Sequence, residues 1–120
     1  MAKKILIVDD SLSIRQLVSM TLIKEGYEVV EAENGEDALR KLESIRPNLI
    51  ISDVNMPKMN GIELVKAVKK QPSHKFTPIM MLTTESQEQK KQEGREAGAK
   101  AWLVKPFSQD KLLAAVSKLA

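Results

Sequence analysis

Three aspartates, a threonine and a lysine stand where short apolar runs end. Asp9 and Asp10 follow Ile5-Leu6-Ile7-Val8, Asp53 comes after Leu49-Ile50-Ile51, Thr83 follows Ile79-Met80-Met81-Leu82, and Lys105 follows Leu103-Val104. Clustered carboxylates resist joint ionisation unless a cation sits among them. Hard oxygen donors suit Mg²⁺, which keeps several waters and takes one or two carboxylates together with phosphate. An ammonium cannot ligate a metal, but it pairs with phosphoryl oxygens as a point charge. A threonine hydroxyl can donate a hydrogen bond to the same oxygens. Brought together, these groups describe a phosphoryl-transfer site in which a carboxylate is the nucleophile. Singly they say little, since Asp10 or Ser11 could simply cap a helix. As a set they say more, because each falls at the same kind of boundary.

The boundaries are strand ends. Short apolar runs separated by helix-like stretches read as buried strands of a parallel sheet. Ligands of such sheets bind in the crevice beyond the carboxyl ends of the strands. Strands are expected over residues 4–8, 28–32, 48–52, 79–82 and 101–104. The second alternates polar and apolar residues and is expected at an edge. Helical spacing places Ile14, Leu17, Val18, Thr21 and Leu22 on one buried face, then Ala38, Leu42 and Ile45, then Ile62, Val65 and Val68, and finally Leu112, Leu113, Val116 and Leu119. Gly26 suits a left-handed helix cap. Asn34-Gly35 opens the second helix, and Pro47 blocks its continuation. The helix expected over residues 86–97 carries no large apolar side chain between Gln87 and Glu96. A helix polar all round is weakly anchored by burial and free to move. Alternating strand and helix units predict an α/β fold: a doubly wound, five-stranded parallel sheet with helices on both faces.

At 120 residues the chain has the length of one domain, spanning residues 1–120. It has no cysteine, which excludes disulfides, thiolate catalysis and cysteine-ligated zinc. No apolar stretch approaches the roughly 20 residues a membrane helix needs, and the run after Lys3-Lys4 ends at Asp9, too soon for a signal peptide. A cytoplasmic location without membrane association is expected. The formal net charge is +3. The lysines are spread over helix surfaces with almost no aromatic residue among them, so nucleic-acid binding is not expected.

The segments Ile7-Val8-Asp9-Asp10-Ser11, Ser52-Asp53-Val54-Asn55-Met56-Pro57, Leu82-Thr83-Thr84-Glu85 and Val104-Lys105-Pro106-Phe107 resemble the receiver domain of two-component response regulators. The resemblance spans the chain and keeps the family's order and spacing. Asp10-Ser11 followed by Arg15 resembles its stand-alone CheY-like chemotaxis regulators. The resemblance implies a flavodoxin-like, CheY-like sheet of order 2-1-3-4-5. It implies that Asp53 is the phosphoacceptor, supplied by the phosphohistidine of a sensor histidine kinase or by a small acyl phosphate. It implies that Asp10, Asp53 and the backbone carbonyl of Asn55 hold Mg²⁺, with Asp9 acting through a metal-bound water. Lys105 would pair with Asp53 and then with the phosphoryl group, and the Lys105–Pro106 bond would be cis. Thr83 would turn inward to the phosphoryl oxygen and Trp102, where the family usually has Tyr or Phe, would follow as a switch. Asn55 and Glu85 would tune access of hydrolytic water. Thr84, where a smaller residue is common, would narrow the approach to Asp53.

The function so implied is a phosphorylation-activated switch that catalyses only its own phosphorylation and dephosphorylation, and signals as a monomer by binding proteins. A chemotaxis target such as a flagellar motor switch protein is favoured. The near alternative is a phosphorelay intermediate that passes phosphate to a histidine phosphotransfer protein. An aspartyl-phosphate phosphatase would carry two aspartates with one residue between them, whereas Asp9 and Asp10 are adjacent. A flavodoxin-like FMN carrier would need a Thr/Ser/Gly-rich phosphate loop after the first strand, not two carboxylates. Elsewhere the expectations are plain: His74 as a solvated loop histidine, Met80 and Met81 as core filler, and Gly94 and Gly98 as local backbone needs.

Overall fold

The computed structural model describes the backbone of residues 2–84 and 88–120, and the side chains of all of these except residues 88–90. Strands and helices alternate along the chain: β1 (Lys4–Val8), α1 (Leu12–Lys24), β2 (Glu28–Ala32), α2 (Gly35–Leu42), β3 (Leu49–Asp53), α3 (Gly61–Lys69), β4 (Ile79–Thr83), α4 (Glu88–Ala97), β5 (Ala101–Val104) and α5 (Gln109–Leu119). The five strands are all parallel, in the order β2-β1-β3-β4-β5. β1, β3 and β4 are therefore central, which is why these runs are apolar on both faces. β2 is an edge strand, as its alternation predicts.

The two faces of the sheet bury two separate cores. Leu6, Val8, Ile50, Ile79 and Met81 pack with Leu64, Val65 and Val68 of α3 and with Ala38 and Leu42 of α2. Ile5, Ile7, Leu49, Ile51, Met80 and Leu82 point the other way, onto Val18 and Leu22 of α1 and Leu112 and Val116 of α5. Successive strand residues alternate between these sides, as the pleat requires.

Four of the helices begin on side-chain caps. Ser11, Asn34, Asn60 and Ser108 accept hydrogen bonds from Ile14, Asp37, Glu63 and Lys111 backbone N–H groups respectively. At α3 the Glu63 side chain returns the bond to the Asn60 N–H, completing a capping box.

Several expectations are corrected. Leu17 is 46 % exposed, and Ser19 is buried instead. The buried face of α1 centres on Val18 and Leu22, and at 100° per residue Leu17 lies roughly 120° from that centre. Leu113 and Leu119 are only half-buried. α2 ends at Leu42, so half-buried Ile45 packs on the core from beyond the helix. Of the expected fourth helix, residues 86 and 87 lie outside the described residues.

His74 is the largest correction. It is 3 % exposed, not solvated, and its Nε2 donates to the Leu42 carbonyl at 2.9 Å. Turns from Gln71 to His74 and from His74 to Thr77 fold the loop back over the end of α2. There the ring satisfies a last-turn carbonyl that has no helical partner. His74→Ala should cost about 1–3 kcal/mol by stranding that carbonyl. An unchanged urea midpoint would show that the ring is a passenger.

Candidate functional site

The carboxyl ends of β1, β3, β4 and β5 bring the sequence-distant polar residues to one end of the sheet. Asp53 and Thr83 are the last residues of β3 and β4, and Asp9 and Lys105 lie one residue beyond β1 and β5. Carboxylate oxygens of Asp9, Asp10 and Asp53 all lie within 4.8 Å of one another. Lys105 Nζ stands 3.3 Å from both Asp9 Oδ2 and Asp53 Oδ1. The lysine thus bridges two acids, where the sequence pointed only to its pairing with Asp53. The Lys105–Pro106 peptide is cis.

Asp9 and Asp53 are buried and Asp10 is exposed. Asp9 Oδ1 accepts the Ser11 N–H at 2.9 Å, which directs its other oxygen to Lys105. Burial pushes the Asp53 carboxyl above its ordinary value; the neighbouring Asp9 charge pushes it the same way, and Lys105 opposes both. One lysine therefore does not supply enough positive charge for this pocket. The donor set fits a small divalent cation: clustered oxygens, one exposed carboxylate, and a buried one whose charge burial and Asp9 disfavour. Asn55 is exposed and, with Asp10, Pro57 and Asn60, lines an open cleft of about 420 Å³ beside the acids.

Two residues at the site carried no chemical role in the sequence reading. Arg15 Nη1 donates to the Asp9 carbonyl at 2.7 Å, and its Nε pairs with Glu31 at 3.2 Å, so α1 and β2 together hold the acidic turn. At Gly61 a Cβ would lie 2.2 Å from the Asp53 carbonyl oxygen, a backbone atom that cannot give way. Only glycine lets the start of α3 close against the end of β3, where the Gly61 N–H donates to Val54. Arg15 was visible only as a residue four after Ser11. Gly61 stood only at the end of the turn-rich run Met56-Pro57-Lys58-Met59-Asn60-Gly61.

Thr83 is fully buried, and Trp102 is partly buried on the same side of the sheet, facing α4. Thr83 Oγ1 and Trp102 Nε1 are both buried without a hydrogen-bond partner among the described residues. Orphans of this kind cost about 1–3 kcal/mol each, so an arrangement that satisfies either is favoured by that amount. The Trp102 ring lies against Gly94 of α4, which is how this polar helix is held to the sheet. The need at Gly94 is therefore space, whereas Gly98, at φ +118°, is a true backbone requirement. Thr84 is exposed and lines a cleft with Ile14, Leu17, Lys105, Pro106 and Phe107. Glu85 lies outside the described residues.

Residues 5–117 match the response regulator receiver domain. The chain belongs to that family. Among solved structures similar to this receiver domain, chemotaxis response regulator CheY4 of Vibrio cholerae superposes with a TM-score of 0.94 at 54 % identity, covering 100 % of both chains. Chemotaxis protein CheY of Bacillus subtilis is 40 % identical over 119 residues, 98 % of each chain. The alkaline phosphatase synthesis transcriptional regulatory protein PhoP of the same organism is 45 % identical over 108 residues, 90 % of this chain but 44 % of that protein. The receiver domain thus spans less than half the length of that relative. Receiver domains are signalling switches that bind Mg²⁺ through an acidic pocket, and here Asp9, Asp10 and Asp53 form one. No helix among the described residues is long and apolar enough to cross a membrane.

Proposed function

We propose that this receiver domain is a phosphorylation-activated switch with Asp53 as phosphoacceptor, serving chemotaxis in the cytoplasm as a monomer. The carrying observation is the meeting of three carboxylates within 4.8 Å with Lys105 bridging two of them. Asp53 stands between the buried Asp9 and the Lys105 ammonium, at the end of a central strand. The chemotaxis setting is supported by the likeness to CheY4 and CheY along their whole lengths. The donor is a sensor histidine kinase, and the output is protein binding, with a flagellar motor switch protein as the kind of target.

Asp10, Asp53 and the Asn55 carbonyl would hold Mg²⁺, and Asp9 would reach it through water. When bound, the ion supplies positive charge that offsets the crowded carboxylates and the charge of an incoming phosphoryl group. Lys105 then exchanges a carboxylate partner for a phosphoryl oxygen, holding the charge that the transfer moves. The unpartnered Thr83 hydroxyl is free to donate to another of those oxygens, and Trp102, on the same face, responds to the space that Thr83 leaves. A two-state element biased in this way changes the surface offered to a partner.

Intact mass after treatment with a small acyl phosphate tests the reading. With Mg²⁺, one phosphoryl group is added; without it, or in Asp53→Asn, none is. Uptake by the Asp53→Asn variant would move the acceptor elsewhere and end this assignment. In the same assay Thr84→Ala should take up phosphoryl faster than the parent, because the branched side chain borders the approach beside Lys105. Equal rates would remove Thr84 from the rate-tuning residues, alongside Asn55 and Glu85.

A further inference from the structure

Four lysines from distant parts of the chain crowd one recess at the pole of the sheet opposite Asp53. Lys69 ends α3, Lys75 lies in the loop before β4, Lys100 precedes β5 and Lys118 is in the last turn of α5. Together with Phe76 they line a space of about 370 Å³, and no carboxylate shares the lining. None of the four forms an ion pair among the described residues. Lys69 is held inside, donating to the Lys75 carbonyl at 3.1 Å and the Thr77 carbonyl at 2.6 Å. Burial lowers its pKa, and the nearby Lys100 charge lowers it further, so like charges here repel without compensation. Lys75, Lys100 and Lys118 remain exposed. At the rim Phe76 is 88 % exposed, with the Lys75 ammonium 5.7 Å from its ring centre.

Such a recess is short of negative charge and carries an aromatic ring that nothing in the fold covers. We propose that it docks an acidic segment of a partner protein, whose carboxylates meet Lys75, Lys100 and Lys118 while an apolar side chain packs on Phe76. Charge complementarity sets the sign of the partner, and an exposed ring surrounded by polar groups is the usual anchor of a protein contact. The concavity admits a few side chains; it does not present the flat face that a bilayer meets. A single ring and lysines gathered in a cluster do not make the track of stacking platforms that a nucleic-acid strand follows. The strands hold this pole about 16 Å from the acidic pocket, by the rise of a five-residue strand. Docking at this pole leaves the acidic pocket itself open. The surface goes beyond the phosphoacceptor reading and does not rest on it.

Fluorescence anisotropy of a labelled peptide, glutamates flanking one leucine, tests this on the full chain. Saturable binding that weakens as salt rises is expected. The pair Lys100→Glu and Lys118→Glu should lower affinity by about tenfold or more. Phe76→Ser and the single Lys75→Glu should lower it less, and Lys24→Glu on α1 should leave it unchanged. The far-ultraviolet circular dichroism of each variant should match the parent, which shows that the fold is intact and keeps this question apart from that of Asp53. Affinity indifferent to the charge reversals would overturn the proposal. So would tighter binding of a nucleoside triphosphate or of anionic vesicles than of the peptide.

Discussion

Gly94→Ala lowers stability by about 1–3 kcal/mol and shifts Trp102 emission to longer wavelength, while in a Trp102→Phe background the same change is neutral or stabilising. The expectation follows from one close approach. A Cβ at Gly94 would sit 2.1 Å from Trp102 Cη2 and 2.5 Å from Cζ2, so helix or ring must move. Both atoms belong to the six-membered part of the indole, and a phenylalanine ring ends short of them. With the clash gone, alanine gains its ordinary advantage over glycine inside a helix, about 1 kcal/mol. The sign of the effect at residue 94 thus depends on the residue at 102. α4 is otherwise polar, so this contact, with half-buried Ala97, is much of what fastens it. Wherever the ring goes, α4 must answer. Urea unfolding of the four chains in the cycle measures the coupling. A Gly94→Ala cost that survives the Trp102→Phe change would place the strain elsewhere.

That contact also shows what a sequence can and cannot disclose. The strands were legible because central parallel strands are apolar on both faces, and Ile5-Leu6-Ile7-Val8 or Ile79-Met80-Met81-Leu82 has few other uses. The acidic pocket was legible because strand ends converge in this topology, whatever the helices do. Residues read from local pattern alone were misjudged. His74 looked solvated among Ser73, Lys75 and a proline, yet the turn that inverts the loop places its ring on the end of α2. Leu17 looked buried because it keeps helical spacing with Ile14 and Thr21, yet Val18 and Leu22 centre the face, and Ser19 and Thr21 flank it. Gly94 looked like a local backbone need, since nothing in a sequence reports an indole eight residues further on. In each case the missing quantity was a tertiary direction, which local patterns do not carry.

Lys105→Met should cost about 3 kcal/mol at mildly alkaline pH without Mg²⁺, and much less in mild acid or with millimolar Mg²⁺. The lysine is the one cation among the described residues in ion-pair range of both Asp9, fully buried, and Asp53. Removing it leaves two crowded carboxylates facing each other. The Asp53 carboxyl already stands above its ordinary value, through burial first and Asp9 second, with Lys105 holding it down. Its folded-state value rises further in the variant. For an acid raised on folding, the folded state binds the proton more tightly than the unfolded one. Its favourable contribution is complete below the unfolded value and is lost as pH rises through the folded value. The variant therefore falls behind the parent progressively as pH increases. Protonating Asp53 and binding a divalent cation relieve the same repulsion, so either should restore the variant, and Mg²⁺ should stabilise it more than it stabilises the parent. Thermal unfolding across pH, with and without the ion, reads all of this in one series. A loss indifferent to both pH and Mg²⁺ would mean that Lys105 contributes packing by its methylene stem, which methionine should largely replace, and that the charge balance drawn here for the pocket is wrong.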